Sequence, residues 1–182
     1  GGNGPSGHHL LRSVERAAVR ADGSLGPWHR ETQQLNLPRR CAKVVASGDY
    51  LYAIGGFGGA LLDSVERARF NGDGSLGPWE ILPDKLTRPR YIHADAEVNG
   101  RLYIVGGHAE QGGMGEAAVE FTVLGKEKDL SSWHGTAALI QGRYGLAAAS
   151  HGDYLYALGG MSGATFYDVV EKNHVDADGA LG

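Results

Sequence analysis

Chemistry in this chain would have to come from its histidines, its single thiol, its aspartates or its glycine clusters, and spacing weighs each set. The eight histidines include one adjacent pair, His8-His9, and no His-x-His or helical spacing that would aim two imidazoles at one metal. His93 stands where the corresponding segments carry Ala42 and Leu146. It reads as a core-facing histidine or as one lining a channel, and a lone ligand holds no metal tightly. Cys41 with a distant histidine could act as a nucleophile in principle. The run Cys41-Ala42-Lys43-Val44-Val45 has strand composition, however, which makes the thiol a small buried hydrophobe. Gly55-Gly56-Phe57-Gly58-Gly59 lacks the Lys-Ser/Thr and the following helix of a phosphate loop, and it does not fit the dinucleotide fingerprint. Asp176-Ala177-Asp178-Gly179 resembles the start of a calcium loop without its distal glutamate. Asp22, Asp73 and Asp178 each precede glycine in one recurring turn, which turn geometry explains. No catalytic set, metal set or cofactor site emerges.

The same residues do reveal the elements that hold them. Tyr50-Leu51-Tyr52-Ala53-Ile54-Gly55-Gly56 is a short aromatic and aliphatic run closed by two glycines. It returns as Arg101–Val105 followed by Gly106-Gly107, and as Tyr154–Leu158 followed by Gly159-Gly160. Gly55, Gly106 and Gly159 recur after 51 and 53 residues, Arg39, Arg90 and Arg143 after 51 and 53, and Trp28, Trp79 and Trp133 after 51 and 54. A Val-Glu pair ends in Glu15, Glu66, Glu120 and Glu171. Ser13–Ala17 is repeated letter for letter from Ser64 to Ala68, and Asp22–Trp28 from Asp73 to Trp79. This is a repeat protein with a period near fifty residues.

Each unit reads as four short strands joined by turns, with Asn99-Gly100 a type I′ hairpin signal. In the first unit His9–Val19 and Trp28–Gln34 are strands. In the second they are Cys41–Ser47, Tyr50–Ile54, Asp63–Phe70 and Trp79–Leu82. The third has a longer loop at His108–Gly115 and replaces its Asp-Gly turn with Gly125–Leu130.

Thirty glycines among 182 residues argue against helices. The formal charge of −4 and pI near 6.0 give no basic stripe for nucleic acid or an anionic membrane. No apolar run approaches the ~18–20 residues of a membrane span. One cysteine excludes an internal disulfide and is silent on compartment. The chain begins Gly-Gly without a Met, so its natural N-terminus is expected to lie elsewhere and localisation stays unassigned.

The order of Arg, glycine-ended strand, Val-Glu strand and Trp resembles the kelch repeat, and its Asp-Gly-Ser-Leu-Gly-Pro-Trp variant is similar to bacterial kelch proteins. The resemblance covers essentially the whole chain, with Gly142 in place of the Pro of Pro38 and Pro89. It implies an all-β fold of four-stranded antiparallel β-propeller blades: a partial blade over 1–37, complete blades over 38–88 and 89–141, and a partial blade over 142–182. Closed propellers need ~4–8 blades, so we expect an incomplete ring of about three to four blades, a piece of a longer protein. Copies associating as a homodimer to finish the ring is the alternative. Both faces of a blade pack on neighbours, so the glycine pairs should turn sharply where blades crowd and the tryptophans should seal the gaps. Glu15, Glu66, Glu120 and Glu171 should be partly buried against the repeated arginines, since an unpaired carboxylate there would cost several kcal/mol.

In that family the side chains just after the repeated Arg and just after Gly-Gly line the ligand-side opening. By position these are Arg40, Tyr91 and Tyr144, then Phe57, His108 and Met161. A cation and two phenols suit an anionic or sugar-like ligand, although the tyrosines could simply cover the blade tops. The resemblance implies a non-catalytic module that binds a protein, peptide or glycan. Some kelch propellers are sugar enzymes: a copper oxidase would need clustered Tyr, His and Cys, which this segment does not supply. A mutarotase-like site, needing one Glu or His plus Arg, stays open as the alternative.

Overall fold

The computed structural model describes residues 1–7, 9–108, 113–125 and 130–182. The leading unit contributes four two-residue strands, β1 (Gly2–Asn3), β2 (Leu10–Leu11), β3 (Glu15–Arg16) and β4 (His29–Arg30), paired β1–β2 and β3–β4. The second unit forms β5 (Lys43–Ser47), β6 (Tyr50–Ile54), β7 (Val65–Phe70) and β8 (Leu76–Ile81), an antiparallel sheet in chain order. The third repeats it as β9 (Ala94–Val98), β10 (Arg101–Val105), β11 (Val119–Val123) and β12 (His134–Thr136). The fourth gives β13 (Ala147–His151) and β14 (Tyr154–Leu158), the small hairpin β15 (Met161–Ser162) and β16 (Thr165–Phe166), and β17 (Val170–His174). Its sheet has three strands, β13-β14-β17. The fold is all-β, built of antiparallel sheets, and the described residues close no ring.

Register is the same in each sheet. Ala53 lies opposite Glu66, Ile104 opposite Glu120 and Ala157 opposite Glu171. A one-residue slip would throw the whole apolar set to the wrong side. The turns fix that register: Asn99 and Gly100 both take positive φ, at 50° and 72°, as a type I′ turn requires. The apolar clusters then lie between successive sheets. One gathers Tyr52, Ile54, Leu102, Ile104 and Trp133, the next Tyr103, Val105, Phe121, Leu155 and Ala157.

Two buried ion pairs and a third that is partly buried lock the crossing segments to their sheets. Arg39 meets Glu66 at 2.6 Å, Arg90 meets Glu120 at 2.8 Å and Arg143 meets Glu171 at 2.6 Å. The carboxylates also accept backbone N–H bonds from the segments that enter each unit. Asn36 donates to Glu66 at 2.6 Å, Thr87 to Glu120 at 2.6 Å and Ile140 to Glu171 at 2.7 Å. The arginines in turn donate to carbonyls inside the sheet, Arg39 to Gly55 and Arg90 to Gly106 and Ala118. Charge, cap and cross-link coincide, which is what allows these groups to be buried.

The leading unit departs from expectation. Its long strands shrink to β3 and β4, because a ladder needs a partner and β3 has one only in β4. Glu15 is exposed and lies 3.8 Å from Arg30 instead of a repeated arginine, whose equivalent position falls before Gly1. Trp28 is 65% exposed, against 8% for Trp79 and 7% for Trp133. The outer strand of the second unit begins three residues before Trp79 and passes through Pro78, tolerable at a sheet edge where no N–H is called on. Cys41 is also not the buried strand residue expected. It is exposed, precedes β5 and takes φ of 51°. The expected loop at His108–Gly115, the turn at Gly125–Leu130 and His8 fall wholly or partly outside the described residues.

Candidate functional site

The six face residues follow structural ones in the chain, and this ordering aims them. Arg39, Arg90 and Arg143 turn their side chains into the sheets, so the next residue in an extended chain faces the other way. Arg40, Tyr91 and Tyr144 then form antiparallel bridges to Phe57, His108 and Met161. Arg40 N–H donates to the Phe57 carbonyl at 3.0 Å, His108 N–H to that of Tyr91 at 2.8 Å, and Met161 N–H to that of Tyr144 at 2.9 Å. Glycine is what permits this approach. A Cβ at Gly56 would lie 2.8 Å from the Arg40 carbonyl oxygen, at Gly107 3.2 Å from that of Tyr91, and at Gly160 2.9 Å from that of Tyr144.

These bridges bring the side chains into one row. The Arg40 guanidinium lies 4.8 Å from the Phe57 ring centre. Phe57 is 5.8 Å from Tyr91, Tyr91 is 5.0 Å from His108, and His108 is 4.8 Å from Tyr144. The rings are tilted, the arrangement their quadrupoles favour. Met161 continues the row through its bridge to Tyr144. All six are half-buried, and Arg40 Nε and His108 Nδ1 have no hydrogen-bond partner among the described residues. The row therefore runs across three units and offers a cation, two phenols and an imidazole along one line.

A second geometric repeat was nearly invisible in the sequence. Cys41, Ile92 and Gly145, each two residues after a repeated arginine, take φ of 51°, 53° and 64°. Ile92 N–H donates to the Cys41 carbonyl at 3.3 Å and Gly145 N–H to the Ile92 carbonyl at 2.9 Å, linking successive units. Only glycine at 145 marks the left-handed position by residue type; a β-branched residue there is strained. These three residues line a shallow cavity of about 250 Å³ with Lys43, His93 and Leu146. Among the described residues no group of three His, Cys, Asp or Glu side chains could hold a metal.

His93 is 1% exposed, and neither ring nitrogen has a hydrogen-bond partner among the described residues. Burial first, then the charges of Arg90 and Lys43, push its pKa down from 6.5 to about 3. Unfolded, the ring takes a proton near pH 6.5, and folded only near pH 3, so stability falls as pH drops between them and is level above. His93→Leu, the residue at the equivalent position 146, is expected to remove roughly 2 kcal/mol of that loss at pH 5. Urea unfolding at pH 7 and pH 5 reads it, and an identical pH dependence in both proteins would contradict it.

Known proteins resemble this chain in sequence and in fold. The Kelch motif model matches residues 38–67 and 142–172. An F-box/kelch-repeat protein of Arabidopsis thaliana is 32% identical over 126 residues, covering 68% of this chain and 31% of that protein. Kelch-like protein 13 of Homo sapiens is 34% identical over 93 residues, covering 51% of this chain and 14% of that protein. The solved structure of YjhT superposes with a TM-score of 0.63 at 18% identity, over 85% of this chain and 48% of that one. The chain thus spans under a third of these curated relatives and about half of the structural one. Repeat spacing, sheet topology and these matches agree: the chain is a run of kelch repeats folded as β-propeller blades.

Proposed function

We propose that the chain is a non-catalytic binding module that holds a protein, peptide or glycan on the row Arg40–Phe57–Tyr91–His108–Tyr144–Met161. The observation that carries this reading is the continuity of that row across three units, with centroid spacings of 4.8–5.8 Å between neighbouring rings. Rings that pack on one another are preorganised and lose little side-chain freedom when a partner settles on them. The guanidinium, phenols and imidazole of the row favour a polar partner, such as the carboxylates and carbonyls of a peptide or the hydroxyls of a glycan. The row also holds Arg40 and His108, the Arg-plus-His combination a mutarotase-like site needs, and that reading is the alternative.

Screening the chain on glycan and peptide arrays tests the reading. Tyr91→Ala and Tyr144→Ala are each expected to weaken the strongest binders by about tenfold or more, the scale of interface aromatics. Binders indifferent to both substitutions and to Arg40→Ala, or no binder at all, would contradict it.

A further inference from the structure

Ile92, in the middle of the chain, is held in a conformation that its residue type disfavours. Its φ is 53°, and a β-branched side chain in the left-handed region is strained. The backbone does not need a side chain there, because Gly145 fills the equivalent position of the next unit at φ 64° without strain. Nor is Ile92 free to relax. Its N–H donates to the Cys41 carbonyl at 3.3 Å and its carbonyl accepts from the Gly145 N–H at 2.9 Å, which ties it to the unit on either side. It acts as a one-residue reversal: Tyr91 before it stands half-buried in the row, and His93 after it is 1% exposed.

A strained side chain kept where glycine would serve points to a use for the side chain itself. The Ile92 side chain is half-buried and lines the cavity of about 250 Å³ together with Ala42, Lys43 and Leu146. Gly145, also in the lining, contributes no side chain, and a Cβ added there would stand 3.8 Å from Ile92 Cγ2. One unit therefore supplies an apolar wall and the next leaves the space beside it open. The Lys43 ammonium lies 3.4 Å from Asp95, so its charge already has a partner. Among the described residues the lining holds no carboxylate, amide or hydroxyl side chain to meet the hydroxyls of a sugar. The cavity suits an aliphatic group.

Resting on the reading of the row as the binding face, we infer that Ile92 sets its specificity: the side chain walls a subsite that takes an aliphatic side chain of a peptide laid on the row. Chain order joins the two, since Ile92 and Gly145 directly follow Tyr91 and Tyr144. The rings and the guanidinium hold the peptide, and the cavity beside Ile92 selects among peptides by the shape and polarity of one residue. The strain at Ile92 is the cost of presenting an apolar wall from a position whose backbone favours glycine.

A positional-scanning peptide library, probed with the chain and with Ile92→Asn, Ile92→Val and Tyr91→Ala, tests this. The wild-type chain is expected to prefer Leu or Ile over Ala and Asp at one position of its strongest binders by about tenfold. Ile92→Asn should erase that preference and leave the rest of the binding profile in place, while Ile92→Val, still apolar, should retain it. Asn suits the left-handed region, so the urea midpoint of Ile92→Asn should not fall. Tyr91→Ala should weaken all binders alike, whatever stands at that position. A preference that survives Ile92→Asn while Tyr91→Ala weakens binding would overturn the subsite and leave the row standing, as would binders found on glycan arrays alone. A lowered midpoint in Ile92→Asn would make Ile92 a packing residue and overturn the subsite too. Binders indifferent to Tyr91→Ala, or no binder of either class, would overturn the row and the subsite together.

Discussion

Glu120→Ala is expected to lower stability by about 3–5 kcal/mol, measured as a drop in the urea midpoint at constant slope. The loss exceeds that of a surface ion pair because three things fail together. Arg90, itself buried, is left as an uncompensated charge, and the Thr87 N–H loses its acceptor. The crossing segment that enters the third unit also loses its anchor. Burial is what makes the difference, since exposed pairs contribute ~0–1 kcal/mol. Glu15→Ala is the internal control. Glu15 is exposed and lies 3.8 Å from Arg30, so its removal is expected to change little. Equal effects at the two sites would show that the repeat is held by something other than these pairs. Replacing Arg90 and Glu120 together by Met and Leu is expected to recover only the part of the loss that comes from the uncompensated Arg90 charge. The Thr87 N–H and the Gly106 and Ala118 carbonyls stay without those partners.

Gly106→Ala is the second large effect, with an expected loss of roughly 3 kcal/mol or more. Two causes add. The φ of Gly106 is 61°, where a Cβ is strained, and that Cβ would stand 2.5 Å from the Arg143 carbonyl oxygen and 3.2 Å from a Leu146 methyl. The first contact is with backbone and cannot be relieved by a rotamer change. Gly48→Ala separates the causes. Gly48 has nearly the same φ, 54°, but a Cβ there meets nothing within 4 Å, so only the strain of about 1 kcal/mol remains. Thermal unfolding of the two variants should differ clearly, and similar shifts would mean that conformation, not close packing between units, dictates the glycine.

How much of this was legible in the sequence depends on what each residue type reveals. Identical residues at fixed intervals announced the sheets, and Val-Glu with Arg announced the ion pairs at Glu66, Glu120 and Glu171. The kelch resemblance, carried over by position, named Arg40, Tyr91, Tyr144, Phe57, His108 and Met161; that they form one row depends on backbone bridges between segments 17 residues apart, which no local pattern encodes. The left-handed turn at Cys41 and Ile92 was hidden because neither residue type signals it. Trp28 misled for a different reason. Its heptapeptide is the same as that of Trp79, but burial is supplied by the neighbouring sheet and not by the peptide itself.

The central claim is that the row is the recognition face. A nuclear magnetic resonance titration of the chain with its best array binder tests it most directly. Signals of Arg40, Phe57, Tyr91, His108, Tyr144 and Met161 are expected to move first and furthest, with the buried residues around Glu66 and Glu120 unchanged. Shifts confined to β17, or to the exposed loops at Asp22 and Asp73, would contradict the account and place recognition elsewhere on the blades.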